Sequence, residues 1–294
     1  MPVISLIAYA KINLSLKILG LRGDGFHDIE SVMQNVSLCD ELELAEIKEG
    51  IEIVCDDPEV PVDKMNICYK AAEGVLMGMG GGGGMGRGIG RGIRIRIGKK
   101  IPMGAGLGGG SSDAAAVIVG LNKLWGLKMT QQEMIDIAAK AGSDVPFFIV
   151  GGRCLCRGRG EIVEKGLGTR EQGLGEKRYY IIVKPDVSIS TKCAFEEWDN
   201  YVDKQLTASG PQSLVPSPQN DLEKVIVPGY PIIAQIKEEL LMAGCSLAQM
   251  TGSGSAVYGA VENRGVGDRV IGEMKKKYDK AYLVSEVDRG VEIL

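Results

Sequence analysis

The chain has 294 residues, 45% of them hydrophobic, with 34 lysines and arginines against 38 aspartates and glutamates and a net charge of −4. It is long enough to bury one large core or two ordinary ones, and its balanced charge offers no basic stripe for nucleic acid and no field for a membrane surface. One histidine, His27, restricts any histidine-built zinc site or catalytic triad to that residue, and seven cysteines without a C-x-x-C pair argue for a reducing compartment rather than a secreted disulfide framework.

The N-terminal stretch MPVISLIAYAKINLSLKILG is broken by Lys11 and Lys17 and lacks a basic start and a small-residue cleavage site, so it reads as a strand and not a signal peptide. No run of about 18 apolar residues predicts a membrane span. From Ile12 to Ile18 apolar and polar residues alternate, which puts Ile12, Leu14, Leu16 and Ile18 on one face and Lys11, Asn13, Ser15 and Lys17 on the other. By the same period Tyr9, Lys11 and Asn13 share a face and could line one cleft. An Asp-Gly turn in LRGDGFHDIE is followed by two further strand patterns, SVMQNVSLCDELEL and GIEIVCD.

KMNICYKAAEGVLM has helical character. The glycine- and arginine-rich run Met79 to Gly92 that follows cannot hold a helix, since each glycine costs about 1 kcal/mol relative to alanine, and a mobile connector is expected there. IRIRIG is a strand that feeds a bare loop, KKIPMGAGLGGGSSDAAAV, and a helix is predicted from Ser112 to Trp125, capped by a hydroxyl or carboxylate. QQEMIDIAAKAG is a second helix, ended by Gly142, and Cys154-x-Cys156 puts two thiols on one strand face, where they serve packing. A polar, glycine-spaced segment from Glu164 to Lys177 marks a boundary, dividing the chain into 1–165 and 166–294. Beyond it come a strand at RYYIIVKPDVSIST, a helix at PIIAQIKEELLMAG, a strand–turn–strand unit at SLAQMTGSGSAVYGAV, a lysine-rich helix and a strand at AYLVSEV. Strands and helices mixed in both halves predict a two-domain α+β protein.

Bare backbone before a helix start lets several N–H groups converge on an anion, and the helix dipole adds about half a positive charge. The loop therefore suits a phosphate, against the simpler reading of a tight turn and helix cap. Gly104-x-Gly106-x-x-Gly109 matches a dinucleotide fingerprint only formally, because no acidic residue stands at a suitable strand end, and no Gly-Lys-Ser/Thr closes it as a Walker loop. Asp113 suits the helix start but would repel a phosphate, so a bound triphosphate there implies a divalent cation.

PMGAGLGGGSSDAA resembles the glycine-rich phosphate loop of the GHMP kinases, and MTGSGSAVYG, Met250 to Gly259, is similar to their C-terminal glycine motif. AYAKINLSLKILGLRGDGFHDIESVMQ, NICYKAA, AGSDVPFF and NDLE extend the likeness over nearly the whole chain, toward a branch whose substrate is a cytidyl-linked methylerythritol. The resemblance implies a ribosomal S5 domain 2-like N-terminal domain and a ferredoxin-like C-terminal one, with the active site between them. It implies a cytoplasmic enzyme that uses ATP and Mg²⁺, without a dedicated protein metal site, nucleic acid or membrane partner, as a monomer or weak homodimer.

Carried over by motif, Asp144 would be the general base and Lys11 its cationic partner. By periodicity alone Lys11 is a solvent-face lysine, and Asp144 by itself is a turn or cap residue. Asn66, Pro102, Gly104, Gly106, Leu107, Gly108, Gly109, Gly110, Ser111 and Ser112 would bind the nucleotide, although Asn66 serves equally as an N-cap. Tyr9, Asn13, Phe26, His27 and Thr191 would bind the substrate, with Phe26 and His27 suited to stack on cytosine and bond its edge. A GHMP kinase for mevalonate, homoserine or a sugar, and a nucleotide-binding protein without turnover, are the alternatives.

Overall fold

The computed structural model describes residues 2–80, 91–166, 178–208 and 220–294. Most of the glycine- and arginine-rich run and most of the Glu164–Lys177 boundary segment lie outside the described residues.

Two long strands, β1 (Val3–Leu21) and β2 (His27–Ile47), form an antiparallel hairpin about the Asp24-Gly25 turn, where Gly25 takes φ +83°. β2 is long enough to serve two partners. Its first part pairs with β5 (Arg153–Gly158) and its second with β4 (Gly92–Gly98); β3 (Ile51–Cys55) joins β4 in parallel, and β6 (Ile162–Lys165) pairs with β5. The sheet is completed on the far side of β1 by β11 (Val291–Ile293). On one face lie α1 (Ile67–Gly80), α2 (Gly109–Leu124), α3 (Gln131–Ala141) and α4 (Val145–Val150). The alanine-rich start of α2 (Ala114, Ala115, Ala116) packs with Leu6, Ala8, Leu42 and Leu44 in one apolar core. Small residues are required: a Cβ at Gly120 would stand 2.4 Å from the Leu44 side chain.

The second sheet has the order β10 (Ala281–Ser285), β7 (Tyr179–Val183), β9 (Val257–Val261), β8 (Leu247–Met250), all antiparallel. With α5 (Thr191–Ala208), α6 (Glu223–Gly229) and α7 (Pro231–Ala243) between β7 and β8, and α8 (Arg264–Met274) between β9 and β10, the chain traces the ferredoxin-like split βαβ pattern. The run YYIIV in β7 is apolar throughout because both faces are covered. Ile181 and Val183 meet the helices, while Tyr180 and Ile182 pack with Ala10, Ile12 and Leu107 across to the first sheet.

Three sequence expectations are corrected. α2 begins at Gly109 rather than Ser112, with Gly108 at φ +70° as its N-cap and no side-chain cap, so glycines rather than a hydroxyl open the helix. Lys11 and Asn13 are not on a solvent face: they are 3% and 1% exposed because the helices and the second sheet cover both sides of mid-β1. The alternation also breaks at a register slip between Tyr9 and Ala10, so Leu6 and Ala8 belong to one core and Ala10 and Ile12 to another. The elements α4, α5, α6 and β11 had no counterpart in the sequence pattern.

Candidate active site

A cavity of about 920 Å³ opens between the hairpin, the glycine loop, α4 and α5. Lys11, Asn13, Phe26, His27, Asn66, Pro102, Gly104 and Leu107 line it, as do Gly106, Gly108, Gly109, Gly110, Ser111, Asp144 and Thr191. Two predicted residues do not. Tyr9 falls on the wrong side of the register slip and its hydroxyl donates to Glu292 of β11, 2.7 Å away. Ser112 is wholly buried and donates to the Tyr9 carbonyl at 2.7 Å, fastening α2 to β1.

The loop is a cradle of backbone. Ser112 N is the first to bond back into the helix, to the Gly108 carbonyl, which leaves Gly109, Gly110 and Ser111 N–H groups without intrahelical acceptors and directed at the loop. Gly106 must be glycine twice over, since it sits at φ +73° and a Cβ would stand 2.1 Å from the Thr251 carbonyl oxygen. At Gly108 a Cβ would meet the Phe148 ring at 2.8 Å and the Lys11 side chain at 3.0 Å.

The second glycine turn, Thr251 to Ser255, closes against the same place. Thr251 Oγ1 accepts from Asn13 N at 3.0 Å, and Lys11 N donates to the Leu107 carbonyl at 3.0 Å, so mid-β1 lies between both glycine turns. Asn220, in the NDLE segment, holds the turn from beneath by donating to the Met250 and Gly252 carbonyls, both at 2.9 Å. Among these residues the Lys11 ammonium donates to Asn13 Oδ1 at 2.5 Å and stands 3.6 Å from Asp144 Oδ2. Asn13 is itself oriented by donating to Ser31 Oγ at 2.8 Å. Asp144 occupies the N-cap position of α4, yet its side chain makes no cap bond and is 30% exposed, so its carboxylate is turned to the cavity. Asn66 does cap: its Oδ1 accepts from Cys68 N at 2.8 Å while it also lines the cavity, so both readings of it hold together.

Beside the glycine loop lies a buried charge cluster that the sequence spacing did not reveal. Lys99 is ion-paired to Asp40 and, at 2.8 Å, to Asp113. Asp40 also accepts from the N–H groups of Lys100 and Ile101, pinning the strand that leads into the loop. Burial, with Asp40 close by, pushes Asp113 up to about 7 against the pull of Lys99. Burial disfavours the charge on Lys99, but its two carboxylates outweigh that and raise it.

At the other end of the cavity Phe26 lies under the Arg159 guanidinium, 5.0 Å from its ring centre, and His27 stacks on Phe195 of α5. Phe195, Glu196 and Asp199 follow Thr191 along one face of α5 and all border the cavity. An i, i+4 reading of TKCAFEEWD would have found them.

Two family models match, the GHMP kinases N terminal domain over residues 66–152 and the GHMP kinases C terminal over 205–280. A 4-diphosphocytidyl-2-C-methyl-D-erythritol kinase of Thermoanaerobacter pseudethanolicus is 37% identical, covering 100% of this chain and 99% of that protein. Among solved structures, a 4-(cytidine 5'-diphospho)-2C-methyl-D-erythritol kinase superposes with a TM-score of 0.72 at 26% identity over 96% of this chain and 98% of that one. A homoserine kinase from Cytophaga hutchinsonii gives 0.71 at 22% identity over 100% and 98%, so overall shape does not distinguish the substrates. The chain belongs to the GHMP kinases and, within them, to the family of the 4-diphosphocytidyl-2-C-methyl-D-erythritol kinases. It is an ATP-dependent phosphotransferase with an alcohol group as acceptor, acting on a small molecule. Among the described residues no helix is long and apolar enough to cross a membrane.

Proposed function

We propose that the protein transfers the γ-phosphoryl group of ATP to a hydroxyl of the methylerythritol part of 4-diphosphocytidyl-2-C-methyl-D-erythritol, giving the 2-phosphate and ADP for isoprenoid precursor synthesis by the non-mevalonate route. The observation that carries this reading is the meeting of Lys11 and an uncapped Asp144 beside the glycine cradle, in one cavity with Phe26 and His27. Phosphoryl transfer asks a protein mainly for position and electrostatics. The N–H groups of Gly109, Gly110 and Ser111 would hold phosphate oxygens, with Asn66 near the base and Gly104 to Gly108 closing over the chain of phosphates. Asp144 would take the proton from the attacking hydroxyl, and Lys11, held by Asn13, would steady Asp144 and the negative charge on the moving group. Thr191 would meet the polyol.

Among the described residues no cluster of three metal-ligating side chains exists, so Mg²⁺ would enter on the phosphates and supply charge neutralisation there. The Asp113 Oδ1, buried without a hydrogen-bond partner in the wall behind the loop, is the oxygen donor that fits such an ion. The division into domains 1–165 and 166–294 accords with this reading, each contributing one glycine turn.

ADP release by the purified protein with Mg²⁺ and ATP tests it. Release with the cytidyl substrate and not with mevalonate or homoserine is expected; release with either control alone would overturn the substrate, and none at all the catalysis.

A further inference from the structure

His27 is the single histidine of the chain and is buried at the start of β2, yet it forms part of the cavity wall. Its ring rests on Phe195, with centroids 4.8 Å apart and planes at 22°, and its Nε2 stands 2.7 Å from Oδ1 of Asp199, one turn further along α5. With one face covered by Phe195, what the imidazole offers a ligand is its edge. Among the described residues Nδ1 has no hydrogen-bond partner, and it is not sealed in the interior.

An ionised carboxylate can only accept, so in this pair Nε2 carries the proton. In a neutral ring that leaves Nδ1 with a lone pair and nothing to donate. Cytosine presents an amino group where uracil presents a carbonyl oxygen. An accepting Nδ1 can pair with the first and is set against the second.

Resting on the cytidyl reading above, we propose that Asp199 is a positioning residue that fixes the tautomer of His27, and that the accepting Nδ1 so created makes the site choose a cytidine over a uridine diphosphate ester. A site built to hydrogen-bond one substrate group rejects the analogue lacking it far more strongly than shape alone can. Asp199 needs no contact with substrate for this, since it acts through His27.

Because the chain has one histidine, heteronuclear NMR of the full-length protein reads the tautomer from a single imidazole signal set. The Nε2–H form is expected in the wild type. In Asp199→Asn the amide can donate to Nε2, so the proton is expected on Nδ1. Kinetics give the second readout: kcat/KM for the cytidyl ester should exceed that for its uridyl analogue, and Asp199→Asn should narrow that ratio about tenfold, chiefly through KM for the cytidyl ester. Asp199→Glu, which keeps the carboxylate, should recover part of it. A merely structural Asp199 would impair both esters alike. An unchanged tautomer or an unchanged ratio in Asp199→Asn overturns the proposal. Turnover of neither ester by the wild type would overturn the cytidyl reading, and with it the selectivity, while the tautomer would still stand or fall by the NMR signal.

Discussion

Lys11 and Lys99 both border the cavity and both meet carboxylates, but on different terms. Lys99 is in direct contact with two buried partners, Asp40 and Asp113, and Asp40 is further engaged by backbone N–H groups. Lys11 has one carboxylate at the longer distance of 3.6 Å, and that carboxylate is partly exposed and free of capping duty. The first cluster spends its charge on itself and holds the loop in shape; the second keeps charge available for a substrate. Proximity of a lysine to an aspartate in a cleft therefore does not identify chemistry. Whether each group has remaining capacity does.

Removing the available carboxylate should produce the largest effect. Asp144→Asn is expected to lower kcat by about 10²–10⁴-fold while ATP binding, followed by titration calorimetry, persists. Near-normal turnover would erase the contrast between the two lysines. Breaking the self-contained cluster should instead cost stability. Asp40→Ala strands part of the charge on Lys99 and two N–H groups, and should lower the unfolding free energy by about 3–5 kcal/mol in denaturant titrations.

A smaller effect is expected where the two glycine turns touch. Gly106→Ala places a Cβ against the Thr251 carbonyl at a positive φ, and strain of about 1–3 kcal/mol should appear as a lowered melting temperature with weaker ATP binding. The smallest is a pH effect on Asp113. Its carboxyl is raised by burial to about 7 in the folded chain, above its ordinary value of 3.8. Between those values the folded state binds the extra proton, so the stability this group contributes is fully present below about 3.8 and is lost as the pH rises through about 7. Asp113→Asn, which stays neutral, should gain on the wild type between pH 5 and pH 8 in denaturant midpoints; a constant gap would show that Lys99 keeps Asp113 ionised throughout.

The glycine loop, the Asp24-Gly25 turn and the capped helix α3 were legible because their causes are local: backbone freedom, turn chemistry and the Thr130–Glu133 capping box. Tyr9 was misplaced because a two-residue period assumes an unbroken ladder, and the slip beside it depends on how β2 meets two partners. The Asp40–Lys99–Asp113 cluster escaped notice because its members are 59 and 14 residues apart and nothing in their neighbourhoods announces burial. Asn13 and Thr251, 238 positions apart, illustrate the same limit. The family likeness supplied Lys11 and Asp144 together, where periodicity alone pointed Lys11 at solvent.

β11 carries a mechanical consequence. The chain leaves the first sheet after β6, builds the second, and returns to pair beside β1, so the second sheet is suspended at both ends. The outgoing and returning passages lie side by side, Glu286 N donating to the Arg178 carbonyl at 3.1 Å, and the return is stitched down where Tyr9 N donates to the Gly290 carbonyl at 2.9 Å. Two adjacent tethers remove the free swivel that a single linker would permit and leave one narrow axis of rotation. A cavity walled by parts of both sheets can then breathe along a single path, which returns the glycine turn of one to the lysine of the other each time it shuts.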